Sequence, residues 1–113
     1  MKIFLIGESN GAIYAYRFLI AHPDLAKAAV FISGSLESKI LSQIKERASQ
    51  IQTKILVVHG TDDQTFPFST AEKTAQQLQE LGLKVEFKGV NGMQHGADAF
   101  CEDEIMAWIE GQL

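Results

Sequence analysis

The chain has 113 residues and a net charge of −4. That length suits one domain over residues 1–113 and excludes two. The acidic balance excludes the usual signature of a nucleic-acid or anionic-membrane partner.

Ile3-Phe4-Leu5-Ile6 reads as a strand buried on both faces, since all four residues are apolar and three are β-branched or aromatic. Met1-Lys2 and this short run are too little for a signal-peptide core or a bilayer span, so the expected setting is the cytoplasm. Gly7-Glu8-Ser9-Asn10-Gly11 follows, and then a helix over residues 10–21. Strand, Gly-x-Ser-x-Gly and helix together form the pattern of a nucleophile elbow. A Ser at such a corner is held in a strained backbone, with its hydroxyl above the sheet edge. Gly7 and Gly11 are expected there because a Cβ two positions either side would collide across so tight a turn. The helix also points its first N–H groups toward Ser9, which favours a developing oxyanion.

The helix carries Ala12, Ala15, Phe18 and Leu19 on its apolar face, and His22-Pro23-Asp24 stops it. Residues 28–32 read as a second buried strand, ended by Ser33-Gly34-Ser35, whose serines are read as turn residues and not nucleophiles. In residues 36–52, Ile40, Ile44, Ala48 and Ile51 recur at helical spacing and predict an amphipathic helix. Residues 55–59 form a third buried strand, closed by Gly60. His59 at its end is read as structural, anchoring the loop over residues 61–67.

Ser69 and Glu72 have the spacing of a capping box. Ala71, Ala75, Leu78 and Leu81 follow as an apolar stripe, with Gly82 as the residue that ends the helix. Residues 84–88 alternate and predict a half-exposed fourth strand. A Gly-rich loop over residues 89–96 holds His95, with Met93 and Gln94 beside it as candidate substrate contacts. The last helix is expected to start near Asp98, with Glu102, Asp103 and Glu104 in its first turns and Ile105, Trp108 and Ile109 on its buried face. Its one cysteine, Cys101, is read as a small apolar residue; alone, it fits a reducing compartment. Strand and helix thus alternate four times, which implies a three-layer α/β/α fold around about four parallel strands.

An activated Ser needs a base in hydrogen-bond reach, and the base needs a carboxylate to hold its tautomer. In open parallel sheets such chemistry gathers at the carboxyl ends of the strands. Loops at that end offer Ser9, then Asp62 and Asp63, then His95. The order Ser, Asp, His is the one found in α/β-hydrolases.

On these residues the chain resembles the C-terminal half of an α/β-hydrolase, closest to the phospholipase/carboxylesterase family, which includes bacterial carboxylesterases and acyl-protein thioesterases. Gly7-Glu8-Ser9-Asn10-Gly11 matches that family's elbow. Val58-His59-Gly60-Thr61-Asp62-Asp63-Gln64-Thr65-Phe66-Pro67 resembles its Asp-bearing loop, and Gly92-Met93-Gln94-His95-Gly96 its His-bearing loop. The resemblance implies a serine hydrolase of carboxylic esters or thioesters, with Ser9 as nucleophile, His95 as base and Asp63 as its carboxylate (Asp62 as runner-up). Asn10 N–H would be one oxyanion donor, and neither metal nor organic cofactor is expected.

The resemblance also implies a truncated α/β-hydrolase fold. The half that donates the other oxyanion N–H has no counterpart in this sequence, and losing one such donor costs roughly 10²–10³ in rate. The elbow strand would then lie at a sheet edge, yet Ile3-Phe4-Leu5-Ile6 carries no charge or Pro to blunt it. A homodimer pairing these strands is the expected cover, with a separate N-terminal chain as the alternative. Two other functions compete with hydrolysis: a non-catalytic interaction module, and one subunit of a split hydrolase.

Overall fold

The computed structural model describes residues 3–96 and 99–112. Its elements run β1 (Ile3–Glu8), α1 (Asn10–Ala21), β2 (Ala26–Ile32), α2 (Ser38–Arg47), a 3₁₀ turn (Ala48–Gln50), β3 (Lys54–Gly60), α3 (Phe68–Glu80), β4 (Lys84–Val90) and α4 (Ala99–Glu110). The strands form one sheet in the order β1-β2-β3-β4, every neighbouring pair parallel. Among the described residues no helix is long and apolar enough to cross a membrane.

The two-residue period of the strands divides the core. Ala29 and Phe31 of β2 and Ile55 and Val57 of β3 face one cluster, built with Leu19 of α1, Ile44 of α2 and Leu78 of α3. Val30, Ile32, Leu56 and Val58 face the other, closed by Ile105 of α4 and Met93. Three helices therefore cover one face and α4 the other, as the alternating pattern predicts.

Several local expectations change. The buried aromatic of α1 is Tyr16, not Phe18, which is half-buried against His22. The Tyr16 ring stacks on Phe31 with centroids 3.8 Å apart and planes 7° from parallel. Burial pushes its hydroxyl above the ordinary tyrosine range. The capping box does not form. Pro67, in extended conformation, precedes the first helical residue, Phe68, and no side chain caps the helix. The Phe68 ring packs 5.5 Å from Phe87 and 6.4 Å from His59, which draws the helix start one residue ahead of Ser69. The end of α3 follows expectation. Gly82 takes φ 89°, Gly82 N–H donates to Gln79 O at 2.9 Å, and Leu83 N–H to Leu78 O at 3.3 Å. This is a Schellman motif with its apolar pair, Leu78 and Leu83, buried.

The helix predicted over residues 36–52 is shorter, breaking into the 3₁₀ turn after Arg47, while Ile40, Ile44 and Ile51 still reach the core. The expected start of the last helix, Asp98, lies outside the described residues. Strand β1 is not buried on both faces. Leu5 packs into the first cluster, but Ile6, one residue on and facing the other way, is 55% exposed. The physical reason is position: β1 is the sheet edge, and the cluster under α4 draws its strand residues from β2, β3 and β4.

Tyr16→Ala should cost about 3–5 kcal/mol, the range for emptying a buried aromatic site. Urea unfolding of the two chains checks this; a loss under about 1 kcal/mol would remove the Tyr16–Phe31 stack as a main support of the core.

Candidate active site

Ser9 follows the last residue of β1 and precedes the first of α1. It adopts φ 55° and ψ −120°, a conformation that strains any residue with a Cβ. The corner is fixed from both sides. Ser9 N–H donates to Ile32 O at 2.8 Å, and Ser9 O accepts Ala12 N–H at 3.0 Å. A Cβ on Gly7 would lie 2.6 Å from Gly11 O and 2.7 Å from Ala12 Cα, so the strand can pass under the helix only at glycine. Gly11 departs from expectation: a Cβ there would meet nothing within 4 Å, because the residue sits on the exposed side of the first helical turn. Asn10 is the first residue of α1, so its N–H is one of the donors that a helix leaves without an internal acceptor.

The Asp-bearing loop leaves β3 at Gly60 and folds over itself. Asp63 is buried, and its Oδ1 accepts the backbone N–H groups of Thr65 and Phe66, both at 2.8 Å. Its Oδ2 accepts His95 Nδ1–H at 2.9 Å. Burial alone would raise the Asp63 pKa. The Phe66 N–H, His95 and the Thr65 N–H outweigh it and hold the carboxyl below the ordinary aspartate range. Asp62, the other candidate, is exposed, and its carboxylate accepts the neighbouring Thr61 hydroxyl at 3.4 Å.

The His-bearing loop is fastened to the Asp-bearing loop. Asp62 N–H donates to Met93 O at 3.0 Å, and Gly92 N–H to Thr61 Oγ1 at 2.8 Å. Gly60 lies so close beneath that a Cβ would fall 2.0 Å from Met93 O. Met93, a candidate substrate contact from the sequence, is a core residue under α4, 3% exposed. Gln94 remains exposed.

The two loops bring His95 to Ser9. His95 Nε2 lies 2.8 Å from Ser9 Oγ while Nδ1 is committed to Asp63. With Nδ1 as donor, Nε2 is free to accept the serine proton, the tautomer that a general base requires. Phe66 borders the imidazole edge-on, with centroids 5.3 Å apart. Beside it is a polar recess of about 190 Å³ lined by Asp62, Gln64, Thr65, Gln94 and His95.

One contributor escaped the sequence reading. Ser33, set aside as a turn residue, is fully buried with φ 51° at the end of β2. Its Oγ accepts Gly96 N–H at 2.9 Å, tying down the residue after His95. The available signal was topological: β2 lies between the strands that carry Ser9 and Asp63, so its end also reaches this edge.

A strained Ser elbow at one strand end thus meets His- and Asp-bearing loops at later ones, on the carboxyl edge of one α/β sheet. The sequence profile of the Phospholipase/Carboxylesterase family matches residues 1–110, and the chain belongs to that family. It is 30% identical to Carboxylesterase SOBER1 of Arabidopsis thaliana over 114 aligned positions, covering 99% of this chain and 49% of that protein. The crystal structure of that protein superposes with a TM-score of 0.81, over 96% of this chain and 52% of the other. The fold is likewise that of Zea mays acyl-protein thioesterase 2 (TM-score 0.80, 24% identity, 99% of this chain and 56% of that one). A rice relative, 23% identical over 96% of this chain and 44% of its own length, is named a probable inactive carboxylesterase. The chain thus spans about half the length of the relatives it matches.

The lowered Asp63 pKa predicts a pH-dependent stability. In the window between the folded and unfolded pKa values the unfolded chain binds the extra proton, so stability rises with pH there. The contribution is complete above the ordinary aspartate range and is lost as pH falls through the lower folded value. Thermal unfolding of the parent chain and Asp63→Asn should differ most near neutrality and converge on acidification. A gap that does not change with pH would show that the Asp63 charge does not contribute.

Proposed function

We propose that this chain carries the nucleophile, base and carboxylate of a serine hydrolase acting on carboxylic esters or thioesters. The observation that carries the reading is the unbroken line from Ser9 Oγ to His95 Nε2 (2.8 Å) and from His95 Nδ1 to Asp63 Oδ2 (2.9 Å), set on a strained elbow. Membership of the phospholipase/carboxylesterase family supports it.

In this reading Ser9 Oγ attacks the substrate carbonyl carbon as its proton passes to His95 Nε2. The Asn10 N–H stabilises the negative oxygen, and the Asp63 carboxylate stabilises the imidazolium. Collapse breaks the C–O or C–S bond, and the leaving alcohol or thiol takes the proton from His95. Water then attacks the acyl-serine, giving its proton to His95. The acyl–Oγ bond breaks, the carboxylic acid departs and the proton returns to Ser9. No metal or organic cofactor enters the scheme. The lone Cys101 favours a cytoplasmic setting.

A second reading, a non-catalytic module, draws on the rice relative's name. A third is one subunit of a split hydrolase, favoured by the half-length match. All three share one structural demand. The outer edge of β1 has no partner strand among the described residues, Ile6 is 55% exposed, and Tyr14 on the adjoining helix is 68% exposed. We assign this edge to a homodimer pairing two β1 strands, with a chain supplying the other half as the alternative cover.

Intact mass after incubation with a fluorophosphonate tests the chemistry. A single adduct, lost in Ser9→Ala and in His95→Ala, is expected; a folded chain that takes up no adduct sinks the hydrolase reading. Sedimentation at micromolar concentration tests the edge: a dimer is expected, and a stable monomer argues against the paired-strand assembly.

A further inference from the structure

The geometry points to His59 as a positioning residue that sets the Asp63–His95 pair through the backbone of Phe66. His59 is the next-to-last residue of β3, opposite Gly89 in the register, and is 1% exposed. Its Nε2 lies 2.6 Å from Phe66 O. A carbonyl oxygen only accepts, so Nε2 carries the hydrogen. The same nitrogen is 3.2 Å from Asp63 Oδ2, the oxygen that takes the His95 bond. Nδ1 is buried with no hydrogen-bond partner among the described residues, so in the neutral ring it is a bare lone pair.

Phe66 is the shared part. Its N–H donates to Asp63 Oδ1 at 2.8 Å, its carbonyl receives His59, and its ring stands edge-on to His95 at 5.3 Å. One residue therefore couples both histidines to the same carboxylate. Held from below by His59, the turn cannot rotate Phe66 away without giving up a donor to Asp63 and a wall of His95. The N–H of His59 also adds a positive dipole end near Oδ2. A histidine buried only for packing would leave neither nitrogen aimed at the loop, and burying an imidazole with one orphaned nitrogen costs free energy that an apolar side chain would avoid. The arrangement is accounted for by what Nε2 holds.

The labelling arm below rests on Ser9 being the nucleophile; the spectroscopic arms do not. In the unsubstituted chain, ¹⁵N NMR should find His59 protonated on Nε2 and bare on Nδ1. The downfield proton on His95 Nδ1 should shift or vanish in His59→Leu and return in His59→Gln, whose amide nitrogen reaches the Nε2 position. Fluorophosphonate labelling of Ser9 should slow by about tenfold or more in the Leu variant and recover to within about threefold in the Gln variant, the scale of a small misplacement of reacting groups. A proton on His59 Nδ1, or a folded Leu variant with the His95 proton and labelling rate unchanged, overturns the assignment. If the Leu variant does not fold, the tautomer and the Gln variant decide: a folded Gln variant lacking the His95 resonance also overturns it. An unlabelled parent chain whose His95 proton still responds to position 59 supports the assignment and counts against the hydrolase reading instead.

Discussion

The site depends on keeping one buried carboxylate charged. An ionised aspartate removed from water is expensive, and its neutral form would be the default. Asp63 avoids this because the loop after β3 turns tightly enough to aim the Thr65 and Phe66 N–H groups at one oxygen while His95 approaches the other. The loop shape, the charge and the imidazole tautomer are thus one constraint. If the turn opens, the carboxylate loses its donors. If the carboxylate is neutral, His95 loses the group that fixes its Nδ1 proton.

Strain is concentrated at the same sheet edge. Ser9 and Ser33 are the non-glycine residues with positive φ among the described residues, and they end neighbouring strands. Such conformations cost about 1–3 kcal/mol each. Both are held by hydrogen bonds to the next strand over, Ser9 N–H to Ile32 O and Ser33 N–H to Val58 O. The parallel register makes this possible, because it sets the carboxyl ends side by side. The core beneath, with Ala12, Leu19, Ala29 and Val58 almost wholly buried, supplies the rigidity that keeps the corners bent.

What the sequence made legible was what one residue type at one spacing can encode. Short apolar runs between helical stripes marked the strands and their alternation with helices, and Gly7 was readable because backbone crowding admits nothing larger. Where two residues compete for one role, local pattern failed. Tyr16 and Phe18 are both aromatic on one helix. Only the ring waiting on β2, Phe31, decides which is buried. Ser69 has the chemistry of a cap, but Pro67 and the Phe68 contacts set the helix start first. Met93 looked accessible beside His95, yet the chain must cross the end of β3 there, and its side chain drops into the core. Asp63 was separable from Asp62 only through a family motif, since burial and donors are tertiary facts. Ser33 was invisible for the same reason: its partner is 63 residues away.

The two sides of the site differ in what they require from the chain. Ser9, Asp63 and His95 hang from β1, β3 and β4 of one continuous sheet, and each loop is fastened to another within these residues. That line rests on local strand pairing and on the two clusters that cover the sheet. The outer side of β1 is the opposite case. Its backbone edge has no neighbour among the described residues, and its second face leaves Ile6 largely bare, although an unblunted apolar edge invites pairing with whatever strand it meets. Cover there would bury apolar surface at about 25 cal/mol per Å² and satisfy a row of peptide groups, a gain unrelated to proton transfer. Hydrogen-bond geometry at Ser9 and closure of the β1 edge are thus separable properties of this fold.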